Sequence, residues 1–137
     1  MINVGSGKAL DIFQCPRRYG PNVRIFRDHG GVNQQWAVYA NGDGAVKFIN
    51  PHSGKALDVY GNKFEDGTNV QLHVDNGTGA QRWTWESVGN GKYKIIHKDS
   101  GKVLDVAWGR KEDGTNVRIW TDNGTPAQQW YFYSVDE

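Results

Sequence analysis

Apolar and polar residues alternate in short runs along this chain: Val46 and Phe48, Leu57 and Val59, Val70 and Leu72, Trp83 and Trp85, then Tyr93 and Ile95, Leu104 and Val106, Val117 and Ile119. Successive side chains on a strand point to opposite faces, so alternation with one apolar face predicts half-buried antiparallel strands. Turn signals end each run: Asn41-Gly42-Asp43-Gly44, Asp66-Gly67, Asn76-Gly77, Asn90-Gly91, Asp113-Gly114 and Asn123-Gly124. Such dipeptides favour tight turns, and the pieces between them are too short for ordinary helices. Brief strands joined by turns are expected throughout.

The runs also recur at a fixed interval. Ser6, Ser53 and Ser100 each open Ser-Gly-Lys-x-Leu-Asp, 47 residues apart. Asp11/Asp58/Asp105, Asn22/Asn69/Asn116, Val23/Val70/Val117, Gln34/Gln81/Gln128 and Trp36/Trp83/Trp130 keep the same register. A period of this length marks a supersecondary unit that buries its apolar face only against its copies. About four strands in each of three repeats gives about twelve in all. A propeller needs roughly four or more blades to close, whereas three units fit a threefold barrel capped by hairpins. The fold class is therefore all-β, a β-trefoil of three 47-residue repeats, in one domain spanning 1–137 with repeats at about 1–42, 43–89 and 90–137. In this alignment Met1 stands against Phe48 and Ile95, so the first copy lacks the counterparts of Asp43 to Lys47. The chain is accordingly expected to be an excised domain or a mature form. The three in-register tryptophans are expected in the core, each burying ~150–250 Å², or a few kcal/mol apiece at about 25 cal/mol per Å².

Composition narrows the function. Sixteen basic and fifteen acidic residues leave a formal charge of +1, and no block of like charge is longer than Arg17-Arg18. Nucleic acid and acidic membranes need a concentrated basic footprint, so neither is expected as a partner. No segment approaches the ~20 apolar residues of a membrane span, and Met1 to Lys8 holds no signal-peptide core. Membrane insertion is not expected. Cys15 is the single cysteine, which excludes an internal disulfide and reads as an ordinary loop residue.

The Gln-x-Trp triplets Gln34-Gln35-Trp36, Gln81-Arg82-Trp83 and Gln128-Gln129-Trp130, each preceded by Asp 23 residues before its glutamine, carry a resemblance. The chain resembles the ricin B-type β-trefoil lectins, also called carbohydrate-binding module family 13, and in particular the subgroup with Ser-Gly-Lys-x-Leu-Asp-Val repeats. The resemblance covers essentially the whole chain. It implies a sugar-binding protein with up to three shallow sites for galactose-type or related sugars. It also implies a secreted or extracellular setting and attachment to a catalytic or toxin domain in a longer protein. Family members bind sugar with an Asp after the second strand, an aromatic at the end of the third and an Asn-Gln pair before the Trp. In the first repeat these are Asp11, Phe26, Asn33 and Gln34, with Arg24 as a second polar contact; this is the most complete polar set. The third offers Asp105, Arg118, Trp120 and Gln128, with Ala127 in place of Asn. The second offers Asp58, Gln71, His73 and Gln81, with Ala80 in place of Asn, and is the weakest.

The chemistry points the same way. Neighbouring sugar hydroxyls want an acceptor and a donor together, and the C–H face of the ring wants an aromatic plane. A carboxylate gives hydroxyls a charge-assisted acceptor, and an amide donates or accepts. Against this, Asp11, Asp58 and Asp105 serve equally well as turn residues bonding local backbone, the glutamines as internal braces, and His73 as a surface histidine. Phe26 and Trp120 follow the inward residues Val23/Ile25 and Val117/Ile119, so alternation points them outward, where a ligand explains them better than core. Trp108 fits no repeated position and either flanks the third site or covers the barrel. His29, His52, His73 and His97 never stand at ligand spacing with Cys or another His, so no metal or other cofactor is expected. Asn76-Gly77-Thr78 and Asn123-Gly124-Thr125 fit a glycosylation pattern but read as turns. Glycoside hydrolysis needs two carboxylates roughly 5–10 Å apart, whereas these acids fall one per repeat, so no enzyme activity is expected. The alternatives are a structural or protease-inhibiting trefoil and a targeting module of a glycoside hydrolase.

Overall fold

The computed structural model describes residues 1–13 and 21–134. Cys15 and Arg17-Arg18 lie outside the described residues. Twelve strands form one continuous sheet. The first repeat contributes β1 (Ile2–Asn3), β2 (Ala9–Phe13), β3 (Asn22–Phe26) and β4 (Ala37–Ala40). The second contributes β5 (Val46–Ile49), β6 (Ala56–Val59), β7 (Val70–His73) and β8 (Trp83–Gly89). The third contributes β9 (Lys92–His97), β10 (Val103–Val106), β11 (Val117–Trp120) and β12 (Trp130–Tyr131). The middle strands of each repeat pair as a hairpin, β2 with β3, β6 with β7 and β10 with β11. The outer strands follow one another as β1–β12–β9–β8–β5–β4, each pair antiparallel. This is the β-trefoil that the 47-residue register predicts.

Equivalent positions of the three repeats meet in the core. Leu10, Leu57 and Leu104 are buried together with Val23, Val70 and Val117, beneath Phe48 and Ile95 of the ring. On the threefold axis the in-register asparagines close a cycle: Asn22 Nδ2 donates to Asn116 Oδ1 (2.9 Å), Asn116 Nδ2 to Asn69 Oδ1 (2.8 Å), and Asn69 Nδ2 to Asn22 Oδ1 (2.9 Å). Each amide supplies what the next one needs, so three polar side chains are accommodated where the hairpins converge.

The Ser-Gly-Lys motif is a turn. Gly7, Gly54 and Gly101 have φ of 71°, 71° and 74°, a left-handed conformation that glycine adopts without the steric cost of a Cβ. Ser6, Ser53 and Ser100 accept the Lys8, Lys55 and Lys102 amide N–H on Oγ. The lysine then reaches the neighbouring repeat, Lys8 to Asp113 at 3.1 Å and Lys102 to Asp66 at 3.3 Å. The bond from Lys8 holds the Asp113 carboxyl below the usual carboxylate range.

Trp83 and Trp130 are fully buried, but Trp36, expected in the core with them, is only half-buried. All three indole N–H groups donate to an equivalent carbonyl, of Leu10, Leu57 and Leu104. The difference lies in the ring. β1 is two residues long, against four in β5 and six in β9, and no β1–β4 ladder is present among the described residues. A small cavity of about 60 Å³ lined by Met1, Trp36, Phe48 and Phe132 opens at that seam.

Candidate functional site

Each hairpin sets its aspartate directly opposite a polar partner on the adjoining strand: Asp11 opposite Arg24, Asp58 opposite Gln71 and Asp105 opposite Arg118. Leu10 and Ile12 flank Asp11 and are buried, as are Leu57 and Val59 around Asp58, and Leu104 and Val106 around Asp105. Alternation therefore turns each carboxylate to the face of the hairpin away from the core. A single 3-10 turn covers that face in every repeat, at Val32–Gln34, Gly79–Gln81 and Pro126–Gln128.

These turns deliver the in-register glutamines onto the carboxylates. Gln34 Nε2 donates to Asp11 Oδ1 (3.1 Å), Gln81 Nε2 to Asp58 Oδ2 (2.9 Å) and Gln128 Nε2 to Asp105 Oδ2 (2.8 Å). The second amide hydrogen goes to the carbonyl of Arg27, Val74 or Thr121, and Oε1 accepts the N–H of His29, Asn76 or Asn123. Every donor of these amides is engaged within the protein, which is the geometry of a brace. The other carboxylate oxygen accepts from the cross-strand partner: Arg24 Nε at 2.8 Å, Gln71 Nε2 at 2.9 Å and Arg118 Nε at 3.0 Å. The aspartates are almost wholly buried as a result.

Above the carboxylates the repeats diverge. The Arg24 guanidinium carbon lies 4.5 Å from the ring centre of Phe26 and 4.7 Å from that of Phe13. Arg118 lies 4.1 Å from Trp120 and 4.6 Å from Trp108. A planar cation between two aromatic faces is attracted by both. The second repeat has the neutral Gln71 in this place and an exposed His73 beside it. Phe26 and Trp120 are half-buried at their strand ends, facing outward as alternation predicts. Asn33 is half-buried, and Ala80 is buried.

Trp108 supplies what the repeat pattern does not reveal. It sits in the 3-10 turn Ala107–Gly109 with φ 59° and ψ 18°, in a left-handed conformation that costs an ordinary residue roughly 1–2 kcal/mol. Gly61 occupies the equivalent place in the second repeat with φ 61°. The indole is 70% exposed, and its ring centre is 6.1 Å from that of Trp120 at an interplanar angle of 56°. The left-handed backbone thus presents a large, mostly exposed aromatic beside Trp120. The two indoles wall a cleft of about 490 Å³, whose floor and rim include Asp105, Arg118, Asn123 and Ala127.

Residues 1–130 match the family described as "Ricin-type beta-trefoil lectin domain". The chain belongs to this lectin-domain family. Among solved structures, it is 39% identical to ThreeFoil, a designed threefold-symmetric protein, covering 98% of this chain and 96% of that one at a TM-score of 0.92. An exo-beta-1,3-galactanase from Clostridium thermocellum is 35% identical over 95% of this lectin-family chain at a TM-score of 0.89, and the match spans 28% of the galactanase. The Rhizoctonia solani agglutinin is 26% identical, with 99% of this chain and 92% of that one covered at a TM-score of 0.84. No curated protein sequence matches the chain.

The family's residue pattern brings together Asp105, Arg118, Trp120 and Gln128, and likewise Asp11, Arg24, Phe26 and Gln34. It misses Phe13 and Trp108, the second stacking partner of each arginine. Phe13 aligns with Tyr60 and Ala107, so the aromatic in the third repeat has slipped one position along the chain. An aromatic at or just after the first strand of each hairpin was the available signal, hidden by that slip.

Proposed function

We propose that the protein is a non-catalytic lectin domain, residues 1–137, that binds galactose-type or related sugars through up to three shallow sites. The carrying observation is the third-repeat cleft, where a carboxylate, a guanidinium and two outward indoles converge in a chain of the ricin-type lectin family. Indole faces take the C–H side of a sugar ring, while Arg118, Asn123 and Asp105 meet its hydroxyls. The first-repeat site, with Phe13, Phe26, Arg24 and Asp11, is a lesser version. The second, with His73 and Gln71, is the weakest. The 35% identity to part of an exo-beta-1,3-galactanase chain supports a galactose-type ligand and a role as the targeting module of a glycoside hydrolase. A secreted or extracellular setting follows from that role.

A shallow site with a Kd of about 1 mM supplies only about −4 kcal/mol. Several such sites engaging one polysaccharide or glycan-coated surface gain ~10²–10⁴ in avidity. A glycan array followed by titration of the best sugar tests this reading. Trp120→Ala and Trp108→Gly are expected to weaken binding at the third site by about tenfold or more. Both are expected to leave the fold intact, since Gly61 already stands at the place of Trp108. Phe26→Ala is expected to weaken the first site alone. Absence of binding to every glycan, or binding indifferent to all three substitutions, would sink the lectin reading.

A further inference from the structure

The two arginines do more than their aspartates require. Gln71 holds Asp58 in the second repeat with a single neutral bond of 2.9 Å, so the carboxylate does not need a cation to be fixed. Arg118 makes the equivalent bond to Asp105 through Nε alone, which leaves the two terminal nitrogens of its guanidinium. Among the described residues no hydrogen bond satisfies them within the protein. The flat faces of the group are covered by Trp108 and Trp120 at 4.6 and 4.1 Å, and the residue is only 9% exposed. Both features fix the orientation of the guanidinium and keep water from its faces. The edge that remains carries parallel N–H groups, whose geometry matches the two oxygens of a carboxylate. Charge in the cleft agrees. Asp105, already bonded on both oxygens, is its one acid among the described residues, while Arg118 and Lys111 both line it.

We propose that the third-repeat cleft selects glycans whose terminal sugar carries a carboxylate, bound end-on by Arg118 between Trp108 and Trp120. This rests on the carbohydrate-binding reading and names the class of ligand for its main site. A neutral hydroxyl needs only the kind of hydrogen bond that an uncharged amide also supplies. The arginine adds a charge-assisted pair in a site with little competing water. Uronic acids and sialic acids share the carboxylate, and the test separates them.

The test is calorimetric titration of the full chain with matched pairs: sialyllactose against lactose, and digalacturonate against its neutral galactose counterpart. At least one acidic member is expected to bind about tenfold or more tighter than its partner, and which pair shows the preference identifies the source. Arg118→Gln, which copies the second repeat, is expected to abolish the preference of the acidic member over its neutral partner. Where that variant does not fold, the wild type decides. The preference must shrink between about 0.05 and 0.5 M salt and vanish for the methyl ester of the galacturonate. Equal binding of acidic and neutral partners, an ester that binds as well as the acid, or a preference surviving in folded Arg118→Gln overturns the proposal and leaves the lectin reading standing. No binding of any probe overturns both.

Discussion

A buried carboxylate is stable only when its oxygens find donors, and in each repeat one glutamine supplies one of them while also tying down two backbone groups. Removing such an amide strands the carboxylate oxygen, a carbonyl and an N–H together. Gln128→Ala is therefore expected to cost about 2–4 kcal/mol, read as a lower urea midpoint with an unchanged slope. The loss belongs to folding and is expected to be similar for Gln34→Ala and Gln81→Ala. Residue by residue, much of the site was legible in the sequence. Asp11, Asp58 and Asp105 could be placed by register, and the outward turn of Phe26 and Trp120 followed from alternation. The division of labour was not, because spacing cannot show that the glutamines spend all their donors inside the protein. For Trp108 the sequence left two readings open, flanking the third site or covering the barrel. The residue occupies a position where backbone geometry favours glycine, and a repeat alignment finds aromatics only when they keep register.

At the scale of elements, the end of each repeat's first strand is clamped by one buried side chain, and the clamp differs in one repeat. Asn3 Nδ2 donates to the carbonyls of Ala127 and Gln129, and Asn50 Nδ2 to those of Val32 and Gln35. His97 takes their place. Its Nε2 lies 2.9 Å from Asn62 Oδ1 and 3.1 Å from the Gly79 carbonyl, and its Nδ1 lies 2.7 Å from Ser100 Oγ. Both partners of Nε2 are acceptors, which places a proton there, while Ser100 Oγ can donate to Nδ1 of the neutral ring. Burial, partly offset by the Gly79 carbonyl, holds its pKa below the ordinary 6.5. The unfolded chain then takes up the proton first, so this stabilising contribution is complete above about pH 6.5 and is lost as the pH falls toward the folded value. The melting temperature is expected to drop between pH 7.5 and 5.5, and His97→Asn, the residue of the other two repeats, is expected to flatten that drop. An unchanged slope in the variant would assign the effect to another group. The strands themselves were readable from alternation and turn dipeptides. The 3-10 turns were not, since three-residue segments leave no period to detect.

For the whole molecule, threefold repetition was read from sequence with little loss, because Leu10, Leu57 and Leu104 or the asparagine cycle work only if three copies share one axis. The asymmetry was harder to see. β1 is shorter than β5 and β9, and the half-buried Trp36 beside a small cavity appears only when the ring is assembled. The same asymmetry governs function, since a common scaffold carries a two-indole cleft in one repeat, a phenylalanine pair in another and a bare histidine in the third. The central claim is that these clefts hold sugar, and the most direct test is an NMR titration of the six indole N–H signals. Neutral and carboxylated glycans would be added to about 10 mM, well above a millimolar Kd. The account predicts saturable shifts of the Trp108 and Trp120 signals with the buried Trp83 and Trp130 unmoved; no saturable shift at Trp108 or Trp120 with any glycan would contradict it.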